Sequence, residues 1–110
     1  MLANGEIVSG NNQENAAYPS GLCAERVAIF YANASYPNEA IEAIAITAIQ
    51  NGEQVPYPIA PCGSCRQVIA ETQSRYGNKI KILLFSSSKV WQIVDSNELL
   101  PLSFSKSDLI

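Results

Sequence analysis

The sequence predicts an α/β fold, and three observations predict it. Apolar runs of strand length at residues 41–49 and 80–85 alternate with segments of helical composition at 22–34 and 63–76. Proline, glycine or asparagine stands in every gap between them, where the chain must turn. The 110 residues are enough to bury one core and too few for two, so a single domain over 1–110 is expected.

Taken in order, the chain opens with three residues and then Asn4-Gly5, a strong hairpin dipeptide, so 6–9 reads as a strand paired with a stub. Residues 10–21 are polar and turn-rich. Residues 22–34 read as a helix: they are rich in alanine and free of glycine and proline, with Ser20 as a candidate N-cap and Pro37 as the stop. Isoleucine and alanine fill 41–49 without alternation, which suits a strand buried on both faces. Asn51-Gly52 and the prolines at 56 and 58 make a loop. A second helix spans 63–76, with Gly77 as its C-cap. Strands follow at 80–85 and 90–94. Asp95 and Glu98 form a capping-box pattern for a short helix that Pro101 limits, and 103–110 reads as a turn with a short helical end. Helices placed between neighbouring strands make right-handed crossovers, so the predicted architecture is a three-layer α/β/α sheet.

Composition excludes several classes of function. Apolar residues make up 47% of the chain and charged residues 15%, the latter below the usual ~25%. So little charge implies that much of the surface is covered, which points to a homo-oligomer. The net charge of −3 leaves no basic track for a phosphate backbone, so no nucleic-acid partner is expected. The longest apolar stretch is far shorter than the ~20 residues of a membrane span, and no basic and apolar leader pattern opens the chain. The expected compartment is the cytoplasm, with no membrane partner.

The chemistry-bearing residues fall in two short segments. Cys23-Ala24-Glu25-Arg26 opens the first helix, and Pro61-Cys62-Gly63-Ser64-Cys65-Arg66 opens the second. Free backbone N–H groups and the helix dipole favour thiolates at such positions. Three cysteines cannot form a complete disulfide framework, and no histidine is present to act as ligand or base. Three thiolates suit Zn²⁺, which takes sulfur and prefers four ligands; an open fourth position marks a catalytic rather than a structural site. Such an ion lowers the pKa of its water toward about 7. Glu25, two residues after Cys23, lies where a carboxylate can take and return a proton without ligating. Arg26 can donate to a thiolate and offset its charge. On spacing alone, thiol redox chemistry and inert core cysteines remain as other readings.

Cys23-Ala24-Glu25 followed by Pro61-Cys62-Gly63-Ser64-Cys65 matches the zinc deaminase signature in its cysteine form. The chain resembles the small homotetrameric cytidine deaminases over nearly its whole length. Their Asn-x-Glu-Asn-Ala-x-Tyr segment is matched at 12–18, Cys-Ala-Glu-Arg at 23–26 and Pro-Cys-Gly-x-Cys-Arg-Gln-Val at 61–68. Glu98-Leu99-Leu100-Pro101, Phe104-Ser105 and Asp108-Leu109 look like the family's tail. The resemblance implies one zinc ion per chain on Cys23, Cys62 and Cys65. It implies a zinc-bound hydroxide that attacks C4 of cytidine or deoxycytidine, with Glu25 as proton shuttle, in pyrimidine salvage. Asn12 and Glu14 would bind the ribose hydroxyls, the Ala24 backbone the pyrimidine, and Phe104 would reach a neighbouring subunit's pocket in a tetramer. By residue type alone, Asn12 and Glu14 are polar loop residues and Phe104 an ordinary aromatic.

Two alternatives stand beside this one. Related deaminases of a cytosine-containing nucleoside antibiotic share the cysteine segments, though Asn12-x-Glu14 favours a ribose. The resemblance also places a helix and most of a first strand ahead of residue 1, with a phenylalanine that stacks on the base. The expected sheet therefore has an incomplete first strand, and a zinc-binding, non-catalytic subunit is the second alternative.

Overall fold

A computed structural model describes residues 1–109. Two helices, α1 (Ala24–Ser35) and α2 (Gly63–Tyr76), pack on a mixed sheet of β1 (Ala43–Ile46), β4 (Lys81–Phe85) and β5 (Val90–Ile93). A separate two-stranded ribbon joins β2 (Ile49–Gln50) to β3 (Glu53–Gln54). The order in the main sheet is β1-β4-β5, with β1 and β4 parallel and β4 and β5 antiparallel. Helix α2 makes the crossover between the parallel pair, as the alternation of elements required.

Register decides which side chains meet the helices. Ile44 pairs with Ile82 and Ile46 with Leu84, so these four share one face. They join Ile29 and Ala32 of α1, Ile69 of α2, and Leu2, Ile41 and Ile80 in one core. Each fully buried aliphatic side chain there stabilises by about 1.5–3 kcal/mol. Both long helices thus contribute to the same side of the sheet. The opposite face carries Lys81, Leu83 and Phe85, none of them fully buried.

One side chain ties this layer together. Gln73 of α2 is buried; its Oε1 accepts from the Ile80 N–H at 2.9 Å and from the Ser96 hydroxyl at 2.5 Å, and its Nε2 donates to Asp95 at 2.8 Å. The helix end, the start of β4 and the Ser96–Leu99 turn are therefore locked to one another. Gly77 then closes α2 in the left-handed region at φ +69°, where glycine carries no Cβ penalty.

Three sequence expectations are corrected. Residues 6–9 form no strand: a strand exists only where a ladder partner does, and within 1–9 only Leu2 bridges, to Ile41. The expected strand at 41–49 is shorter. It ends at Ile46, because Asn51 and Gly52, at φ +54° and +80°, fold Ile49–Gln50 back on Glu53–Gln54 as a tight hairpin. The first helix starts at Ala24 rather than 22, and Ser20 ends a short 3-10 turn (Tyr18–Ser20) instead of capping it. The short helical pieces after β5 appear as 3-10 turns at Ser96–Leu99 and Lys106–Leu109; Ile110, the last residue of the expected tail, lies outside the described residues.

Candidate metal centre and active site

That late helix start sets the geometry of the cysteines. Cys23 is the N-cap of α1 and Cys62 the N-cap of α2, both with extended backbone (φ −68°, ψ 153° and φ −67°, ψ 169°). Neither thiol caps its own helix, so both are free to point elsewhere. Cys65 follows in the first turn of α2 and is fully buried. The packing of α1 on α2 brings the three Sγ atoms within 4.8 Å of one another, with Cys23 and Cys62 at 3.7 Å. Sulfurs bound tetrahedrally at ~2.3 Å from zinc stand about 3.8 Å apart. A disulfide needs about 2.05 Å, and all three cysteines are free.

The electrostatics of the three sulfurs differ. Burial pushes the Cys65 thiol up to about 12, against the hydrogen bond from Arg26 that favours its thiolate. The Cys62 thiol is lowered, first by the Cys65 backbone N–H, while burial opposes. The Arg26 guanidinium is held firmly protonated, first by its hydrogen bond to Cys23 and then by Cys65. Its Nη2 lies 3.6 Å from the Cys23 sulfur, and its Nε is buried without a hydrogen-bond partner. Arg26 alone leaves the buried Cys65 sulfur protonated, whereas a divalent ion on the three sulfurs would favour its thiolate. The donor set therefore fits one zinc ion per chain.

Glu25 stands beside this group. The Cys65 thiol faces its Oε2 at 3.9 Å. Glu25 and Ala24 also line a cavity of about 610 Å³ that runs between α1 and β1, with Gly10, Ala28, Ile44 and Leu83 on its walls. The carboxylate thus sits at a boundary between sulfur and open space, where an exchangeable proton has somewhere to go.

The other expected site residues divide. Asn12 is brought to the site: its Oδ1 accepts from the Ala24 N–H at 2.9 Å, so these two are bonded to each other. Glu14 follows on the same exposed segment. Phe104 is not brought to the cysteines. Its carbonyl accepts from Gln67 Nε2 at 2.8 Å on the outer side of α2, and its ring is 59% exposed. Sequence reasoning missed Arg66, which donates from Nε to the Pro61 carbonyl at 2.9 Å and from Nη1 to the Leu99 carbonyl at 3.1 Å. It fixes the loop that delivers Cys62. The signal available was its place directly after Cys65.

The sequence matches the profile of the cytidine and deoxycytidylate deaminase zinc-binding region over residues 1–77. It is 33% identical to a cytidine deaminase of Halalkalibacterium halodurans over 109 residues, which is 99% of this chain and 76% of that one. It is 38% identical to a cytidine deaminase of Sporosarcina psychrophila over 109 residues, 99% of this chain and 74% of that one. The fold is similar to the crystal structure of a cytidine deaminase from Burkholderia pseudomallei, with a TM-score of 0.74 and 33% identity, covering 94% of this chain and 76% of that one.

Proposed function

Since the chain belongs to the family of zinc-binding cytidine and deoxycytidylate deaminases, we propose that it hydrolyses cytidine and deoxycytidine to uridine and deoxyuridine, releasing ammonia. The observation that carries this reading is the convergence of Cys23, Cys62 and Cys65 within 4.8 Å, with the Glu25 carboxylate 3.9 Å from Cys65.

A zinc ion on the three sulfurs supplies a Lewis acid and a water of lowered pKa. The chain's own residues do the rest. Glu25 takes a proton from the attacking water and returns it to the departing amine, one carboxylate serving as base and then acid. Arg26 stabilises the Cys23 sulfur by donating to it, and so limits the charge that three thiolates would accumulate. The base lies against the first turn of α1 at Ala24, and Asn12 and Glu14 engage the ribose hydroxyls. The exposed Phe104 reaches a neighbouring subunit's pocket in a homotetramer. Exposed Tyr57, Trp91, Leu102 and Leu109 are available to be covered in such an assembly. The setting is pyrimidine salvage in the cytoplasm; no helix among the described residues is long and apolar enough to cross a membrane.

The test is to measure zinc content and cytidine turnover on the same purified sample. One zinc per chain with turnover is expected. Full zinc without turnover identifies a non-catalytic zinc-binding subunit instead, and turnover that survives complete zinc removal contradicts the reading.

A further inference from the structure

Cys23 occupies the N-cap of α1 but does not cap it. Separately, the first N–H of that helix is satisfied from twelve residues upstream, by Asn12 Oδ1 on Ala24 at 2.9 Å. This bond fastens the loop to the first residue of the helix that carries Glu25.

A second contact explains how the loop comes so close. Gly10 lies directly over the Ala24–Ala28 pair in the first turns of α1. A Cβ there would stand 2.8 Å from the Ala24 carbonyl oxygen, 2.8 Å from the Ala28 nitrogen and 3.2 Å from the Ala28 Cβ. The first two neighbours are helix backbone and cannot yield. Gly10 is not among the glycines with positive φ, so the position demands space rather than an unusual conformation. One residue beyond Asn12, Gln13 and Leu22 exchange backbone hydrogen bonds at 2.8 and 3.0 Å. Residues 10–13 are therefore fixed at three successive points.

We propose that Gly10 and Asn12 form a seat on the first turn of α1 that sets the distance between the substrate loop and Glu25, making Gly10 a positioning residue for nucleoside binding. The substrate part of this inference rests on the deaminase reading above. With Oδ1 committed to Ala24, Asn12 meets a ligand only through its Nδ2 donor, while Glu14, two residues on, carries an acceptor. The pair suits a hydroxyl that accepts from one and donates to the other. A Cβ at residue 10 lifts the loop from the helix and separates this pair from Glu25.

The test compares Gly10→Ala, Asn12→Ala and Asn12→Asp with the parent chain, all zinc-loaded, by hydrogen exchange at the Ala24 amide and by cytidine kinetics. The Ala24 amide is expected to be protected in the parent and in Asn12→Asp, which keeps an acceptor oxygen, and unprotected in Gly10→Ala and Asn12→Ala. Gly10→Ala is expected to raise KM by roughly 10- to 100-fold, the scale of losing a ligand hydrogen bond to a charged group such as Glu14, with a much smaller change in kcat. Asn12→Asp should raise KM without losing Ala24 protection, a separation that a purely structural role would not produce. Retained Ala24 protection in Gly10→Ala, or an unchanged KM, overturns the proposal. Should Gly10→Ala fail to fold, Asn12→Ala adds no atoms and decides: retained Ala24 protection there overturns the seat. Absence of cytidine turnover in the zinc-loaded parent would count against the deaminase reading alone, and Ala24 exchange would then decide the seat by itself.

Discussion

The Cys65 thiol and the Glu25 carboxylate face each other at 3.9 Å, although 40 positions separate them in the chain. The contact joins the first turns of the two helices and places a carboxylate oxygen at the edge of the sulfur cluster. It also relates the two halves of the proposed chemistry: the group that moves protons is held by the element that completes the metal site.

The cysteines should differ sharply once zinc is removed. Cys62 is exposed and its thiol is lowered, first by the Cys65 backbone N–H. Cys65 is buried and its thiol is pushed up to about 12 by that burial. Thiolate, not thiol, reacts with alkylating reagents. In the metal-free chain at pH 8, peptide mapping should therefore find Cys62 modified well before Cys65, and zinc should protect both. Equal rates would contradict the described environments.

Gln73 should be among the costliest positions outside the site. Gln73→Leu keeps the apolar bulk but strands the Ile80 N–H and the Ser96 hydroxyl, both of which bond Gln73 Oε1. Unsatisfied buried groups cost about 1–3 kcal/mol each. Urea unfolding should show a loss of about 2–6 kcal/mol, while an unchanged midpoint would remove Gln73 from its role as the tie between α2, β4 and the Ser96–Leu99 turn.

Asp95 gives the fold an acid-sensitive joint. The hydrogen bond from Gln73 and then that from the Asn97 N–H hold its carboxyl below the ordinary carboxylate range. The sign follows: the folded state binds this proton less readily than the unfolded state. The contribution is present above the unfolded value of about 3.9 and is lost as pH falls through the lowered folded value. Stability of the parent should decline over that window, and Asp95→Asn should flatten the decline without changing the profile near neutrality. An identical acid limb in both proteins would contradict the assignment.

Much of the site was legible because its signals are local. Cys23, Glu25, Cys62 and Cys65 sit in two short segments whose chemistry and spacing point to zinc, and both helices announce themselves through composition and the Gly77 stop. Strand limits were less legible, because pairing belongs to two segments at once. Residues 6–9 resemble a strand yet have no ladder partner, and Asn51-Gly52 makes the hairpin that Asn4-Gly5 seemed to promise. The bond between Asn12 and Ala24 was hidden for the same reason. The family resemblance gives each residue as a substrate contact, but nothing in their types says that one holds the other. Gly10 was invisible altogether, since a glycine in a polar loop does not reveal which backbone will lie beneath it.

The most direct test of the account is the turnover of cytidine by Glu25→Gln that carries one zinc per chain. The substitution preserves size and leaves the three sulfurs in place while removing the group that moves the proton. The account predicts zinc content equal to the parent and a fall in kcat of about 10²–10⁴-fold. Turnover within a few-fold of the parent, with zinc fully bound, would contradict it.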